Sequence, residues 1–238
     1  MKSPLFLFLF FLFSFKITAQ QIISRSRTVS NYNLEGKVFN KVSGEKISNK
    51  QLMELLKEKP GLELQHLYGK YGELEKALYD PNEPYKKYRR DPELRPKIGE
   101  NFPEFVFKTI EGEEFGKDQL NEKWVLIHFN HLTQFIKKPV WDKLYLDLQK
   151  AKKNYSIECF SLFAYEEDLK TSFGEYQPII HLVNNGRGFF ERYHIIKSPT
   201  SVLINPDGLV IQYYFESEAI EFLPFLETQE KHHLNQPN

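Results

Sequence analysis

Cysteine is nearly absent from this chain: Cys159 is the only one in 238 residues. A single thiol cannot close an intramolecular disulfide, so dithiol chemistry would need a second sulfur from another molecule. A charge imbalance is missing too. Lys plus Arg and Asp plus Glu number 32 each, which removes the broad positive field that binding to nucleic acid or an anionic membrane surface calls for. The sequence has no glycine-rich phosphate loop, since Gly186-Arg187-Gly188 lacks the strand-glycine-helix context. Metal-ligand spacing is also lacking: His128 and His131 sit near one another, while His181 and His194 lie apart. No metal and no other cofactor is therefore expected.

What is present begins at the N-terminus. Met1-Lys2-Ser3-Pro4 precedes Leu5 to Phe13, all leucine and phenylalanine, and the run closes at Ala19-Gln20. A basic start, a short apolar stretch and a small residue before a polar one predict a secretory signal peptide over 1–19. Lys16 interrupts the run well short of the ~20 apolar residues a membrane span needs. Cleavage would leave no membrane span, and it would remove Lys2 and Lys16 from a chain of formal charge 0, leaving −2. The expectation is an exported product, periplasmic or extracellular.

Residues 20–95 read as a leader, a small α+β accessory region and a linker. Leu34 to Val42 patterns as a short strand. Ser48 with Gln51 makes a capping box ahead of a helix carrying Leu52, Leu55 and Leu56, which Pro60-Gly61 ends. From Leu62 to Asp80 the period is mixed. Tyr85 to Pro96 is charged and proline-punctuated, and its Lys86-Lys87 and Arg89-Arg90 pairs read as solvated linker.

The texture changes over residues 96–228, where Trp124-Val125-Leu126-Ile127-His128-Phe129 predicts a strand. Trp141, Leu144, Tyr145 and Leu148 predict a helix after a turn, and Ile157 to Phe163 a second strand. Strand, helix, strand in that order favours a parallel pair with a crossover helix. Glu166 to Phe173 reads as a further helix and Ile179 to Val183 as a short strand. Val202-Leu203-Ile204, Asn205-Pro206-Asp207-Gly208 and Leu209 to Phe215 predict a hairpin. Ser217 to Thr228 reads as a closing helix, and 229–238 as a polar tail.

Two of these stretches carry a resemblance. Gly99-x-x-Phe102-Pro103-x-Phe105, with Gly112, Leu120 and Trp124 to Phe129 beyond, resembles the opening segment of the redoxin families. These are the TlpA-like thiol:disulfide oxidoreductases and the alkyl hydroperoxide reductase/thiol-specific antioxidant group. Ser198-Pro199-Thr200 through Asp207-Gly208 resembles their cis-proline segment and following turn. The resemblance implies an α/β, thioredoxin-like fold with a central mixed sheet flanked by helices, and a cis bond before Pro199.

It also implies a reactive thiolate at a helix N-terminus, where free backbone N–H groups and the helix dipole stabilise the anion. No sulfur is found there. Counted from Phe129, a Cys-x-x-Cys would fall on Gln134 and Lys137. Counted back from Pro139 it would fall on His131 and Gln134, and with Thr133 as the guide a peroxidatic cysteine would fall on Ile136. Cys159 lies within a predicted strand, where a thiol behaves as a small buried hydrophobe. His128, in the other strand, is expected to be packed or hydrogen-bonded.

The expectation is an exported protein without redox-active cysteines. It would be a non-catalytic binding or scaffold module of the cell envelope, with a polypeptide or another envelope protein as partner. His131, Thr133, Gln134, Ser198, Pro199 and Thr200 are the candidate groove. The alternative is a divergent thiol:disulfide oxidoreductase or peroxiredoxin-like antioxidant enzyme that uses Cys159 as a free thiol or borrows one from a partner.

Overall fold

The computed structural model describes residues 34–85, 87, 89–215, 220–223 and 225–227. The readings made above for 1–30 and 229–238 lie outside the described residues. The closing helix is described only in part, with 225–227 helical.

Alternation in the central strands sets the architecture. In β6 (Trp124–Asn130), Val125, Ile127 and Phe129 enter one core cluster and Leu126 enters another. In β7 (Ile157–Phe163), Phe160 and Leu162 join the first cluster, and Cys159 and Phe163 the second. Val202 and Ile204 of β9 (Thr200–Ile204) face the first, and Leu203 the second. A period of two thus distributes an almost continuous apolar run between two covered faces, which is why these strands look hydrophobic throughout.

With β8 (His181–Val183) and β10 (Val210–Phe215) they form a five-stranded sheet of order β10-β9-β6-β7-β8. The pairs β6/β7 and β7/β8 are parallel, and β6/β9 and β9/β10 antiparallel. This mixed sheet with flanking helices is thioredoxin-like, as the resemblance implied. The helix α2 (Lys138–Ala151) covers the second face with Trp141, Leu144, Leu148 and Ala151. Pro139 sits in its first turn, where the missing N–H costs nothing.

The first face is filled by aromatic rings from the opening segment and from α4 (Arg187–Arg192), including Phe102, Phe105, Phe107, Phe189, Phe190 and Tyr193. The two stretches that carried the resemblance are bonded to each other. Gly99 N–H donates to Val210 O at 2.8 Å, and Phe102 N–H to Gly208 O at 2.9 Å.

Several elements are shorter than the patterns suggested. The first strand, β1, spans only Val38–Asn40, since a turn at Gly36 (φ 69°) precedes it. Helix α3 is Leu169–Phe173, beginning after Asp168, whose carboxylate accepts from Thr171 N–H. Helix α1 (Asn49–Glu58) has the expected Ser48–Gln51 capping box.

The mixed-period stretch is a hairpin of β2 (Gln65–Tyr68) and β3 (Leu74–Tyr79), with β1 parallel to β3. Two glycines seat it on α4. A Cβ on Gly72 (φ 84°) would lie 2.7 Å from the Phe189 ring, and one on Gly188 would lie 2.6 Å from Tyr68 Cβ. Gly188 N–H donates to Gly72 O at 2.8 Å across this contact. A separate antiparallel pair, β4 (Val106–Lys108) and β5 (Glu114–Gly116), completes the strands among the described residues.

Candidate functional site

The turn after β6 runs through a short 3-10 segment, Thr133–Phe135, into α2, whose N-cap is Lys137. Ser198–Pro199 is a cis peptide bond, and Ser198 ties its loop to the turn. The Ser198 hydroxyl accepts from His131 N–H at 2.9 Å and donates to Phe129 O at 3.5 Å.

Between loop and helix lies a cavity of about 440 Å³, within the range of small-ligand sites. Ile136, Lys137, Val140, Trp141 and Leu144 line one side, and Lys197, Ser198 and Pro199 another. Phe135 and Ile220 also border it, and His128 and Asn130 of β6 complete the lining.

Polar groups under this cavity share one face of the sheet. His128 Nδ1 and Ser201 Oγ share a hydrogen bond of 2.6 Å, and Asn130 Nδ2 donates to Ser161 Oγ at 2.9 Å. Burial lowers the His128 pKa to about 4, so the imidazole is neutral at physiological pH. The Trp141 indole N–H is buried and finds no acceptor among the described residues. An orphaned buried donor of this kind costs about 1–3 kcal/mol.

The six groove residues named from sequence divide. Ser198 and Pro199 line the cavity, whereas His131, Thr133, Gln134 and Thr200 do not. His131 stacks on Phe190 with ring centroids 5.2 Å apart. Thr133 donates to Glu167 through its N–H at 2.8 Å and its hydroxyl at 3.1 Å. Gln134 is exposed. Thr200 is buried and its hydroxyl donates to Lys197 O at 3.0 Å. Asn130, Trp141 and Leu144 were not singled out. Only their shared face of α2 and the apolar-to-polar change at the end of β6 hinted at them.

Chemically, the site lacks an activated nucleophile among the described residues. The positions flanking the helix start hold Ile136, Lys137 and Val140 rather than sulfur. Cys159 is buried in β7, and burial pushes its thiol up to about 12, which leaves almost no thiolate at neutral pH. Ser201 does touch a histidine, but it is 1% exposed and does not line the cavity, and among the described residues no carboxylate bonds His128. That pair is an internal hydrogen bond and lacks the oriented base of a catalytic triad. No group of three or more metal-ligating side chains occurs among the described residues.

No family model and no curated protein matches the sequence. Among solved structures the chain is similar to the thioredoxin domain of a thiol-disulfide oxidoreductase from Bacteroides vulgatus. The identity is 15% and the TM-score 0.45, over 56% of this chain and 97% of that one. It is similar to a thiol peroxidase from Chromobacterium violaceum, with 14% identity and TM-score 0.48 over 60% of this chain and 90% of that one. A 2-Cys peroxiredoxin from Plasmodium vivax gives 17% and 0.47, over 58% and 98% respectively. These neighbours are thioredoxin-fold redoxins, and the likeness is one of fold. With one cysteine the chain cannot contain a Cys-x-x-Cys. No helix among the described residues is long and apolar enough to cross a membrane.

Proposed function

We propose that this protein is an exported, non-catalytic binding module that holds an extended polypeptide, free or on another envelope protein, at the cavity beside Pro199. The observation that carries the reading is the cavity itself. It lies between Pro199 and the start of α2, and its helix side, Lys137 apart, consists of Ile136, Val140, Trp141 and Leu144. Such a lining accepts an apolar side chain. Lys137 and Lys197 border the opening and suit a segment with an acidic flank.

Trp141 also provides the assay. The chain has two tryptophans, so Trp124→Phe leaves Trp141 as the sole indole reporter. Titration with a reduced, carboxymethylated polypeptide should shift Trp141 emission saturably. Ile136→Asp should abolish the shift and Cys159→Ser should leave it intact. An emission unchanged by any such polypeptide, together with thiol-dependent reductase activity lost in Cys159→Ser, would overturn the reading. For export, the secreted form from a bacterial host should begin at Gln20, and retention of Met1 in a cytosolic product would refute that part.

A further inference from the structure

The accessory and thioredoxin-like units meet along an open groove of about 760 Å³ that the cavity beside Pro199 does not share. Its walls differ in kind. The accessory wall presents Leu34, Leu52, Leu56, Leu62, Leu64 and Leu67, and the opposite wall presents Arg187 and Arg192 of α4 with Arg89 and Arg90. Among the described residues that line it, four guanidinium groups stand with two carboxylates, Glu63 and Glu191. Glu191 lies 3.9 Å from both Arg90 Nε and Arg187 Nε, so the two cations flank one carboxylate, and Arg187 also reaches the Tyr165 hydroxyl at 3.5 Å.

Two of the arginines are anchored on backbone carbonyls. Arg90 donates to Ile195 O, and Arg192 to Gly69 O at 3.3 Å. Each guanidinium carries five donors in a fork that matches carboxylate and phosphate oxygens. The local field agrees: His66 in the groove is held near pKa 4, chiefly by burial and secondly by Arg187. His131 is lowered by burial and then by Arg90 and Arg187.

We propose that this groove is a binding site for an amphipathic anion, a single alkyl chain with a carboxylate or phosphate head group. The head meets the arginines and the chain lies along the leucines. The size of the groove favours an alkyl chain over an acidic helix, because one helical turn with side chains fills roughly 500 Å³, calculated from its pitch and diameter. The chain's own leader is the wrong sign for this groove, as residues 20–33 contain Arg25 and Arg27 and no acid.

Calorimetric titration of the purified chain, below micelle-forming concentrations, tests the assignment with five probes: dodecanoate, dodecyl phosphate, dodecyl maltoside, inorganic phosphate and a polyglutamate peptide. Dodecanoate or dodecyl phosphate should bind one per chain, at least tenfold more tightly than the other three, and the tighter of the two identifies the head group. Arg187→Gln with Arg192→Gln should weaken binding at least tenfold. Leu56→Glu, at an exposed position on the opposite wall, should do the same if the arginine variant does not fold. Inorganic phosphate binding as tightly as the alkyl anions would overturn the proposal in favour of a head-only site. Equal binding of the maltoside would reduce it to an apolar groove, and tighter binding of polyglutamate would make the occupant a polypeptide. Affinity unchanged in folded arginine and leucine variants would also overturn it.

Discussion

The two faces of the central sheet are built to different rules. The face under α4 is closed by stacked and edge-on rings: Phe105 on Phe107 at 4.3 Å, Phe107 against Phe160 at 5.1 Å, and Phe129 against Phe190 at 5.2 Å. The face under α2 is apolar along most of its length. At the strand ends it changes to His128, Asn130, Ser161 and Ser201, and there the cavity lies. Both faces carry a buried core, but the α2 face gives up packing at one end to leave room beside Pro199.

The largest expected effect breaks the closed face. Phe160→Ala removes a ring in contact with Phe107, Phe115 and His181, and denaturant unfolding should show a loss of about 3–5 kcal/mol. Val140→Ala on the cavity wall should lose under about 1 kcal/mol, because its side chain already borders empty space. Equal losses at the two sites would erase the distinction between the faces.

Next in size is an acid dependence seated on the cavity face. The His128 pKa is lowered from 6.5 to about 4 by burial, so folding favours the neutral ring. That stabilisation is complete above pH 6.5, declines as pH falls, and is gone near pH 4. The shift corresponds to about 3 kcal/mol at most. His66 is lowered over the same range, whereas Glu158, held near 2 by bonds from His181, Lys152 and Lys123 against the opposing effect of burial, acts below pH 4.5. His128→Gln should reduce the slope of the stability curve between pH 6.5 and 4, leaving the His66 share of it in place and the Glu158 limb below it. A curve unchanged in that window would place the acid sensitivity elsewhere.

Trp141→Phe sharpens the comparison further. The substitution deletes the orphaned N–H and trims the indole, so loss of contacts and relief of the unmet donor oppose each other. Stability should change by less than about 1 kcal/mol, while polypeptide affinity falls. A loss as large as that of Phe160→Ala would mean that the indole nitrogen is satisfied in solution and that Trp141 is ordinary core.

Much of this was legible in the sequence because the signals were local. The apolar run in 124–129, the α2 spacing from Trp141 to Leu148 and the Asn205–Gly208 turn each lie within a few residues, and each became the expected element. The β2–β3 hairpin was not legible, because Gly69 and Gly72 break its period, and the six-residue α4 lacks a side-chain cap. The cavity was only half visible for a different reason. Pro199 and the helix start could be named through a family resemblance, but Asn130, Trp141 and Leu144 join them only when strand, helix and loop meet. The arginine groove was the least visible feature. Arg89 and Arg90 read as linker beside Lys86 and Lys87, and their partners Arg187 and Arg192 lie about a hundred residues away.

A labelling rate is the most diagnostic measurement of how deep the open end of the α2 face reaches. Cys159 projects into the α2 cluster with Leu126 and Leu148 and is fully buried, well inside β7. If the cavity ends at His128 and Asn130, a maleimide should label Cys159 only as fast as the protein unfolds globally. Cys159→Ala should then cost only about 1 kcal/mol, the loss of one small buried atom. Labelling much faster than unfolding would mean that α2 lifts from the sheet and exposes the sulfur. That outcome would reopen the enzymatic reading, because a thiol that meets solvent no longer has its ionisation suppressed by burial.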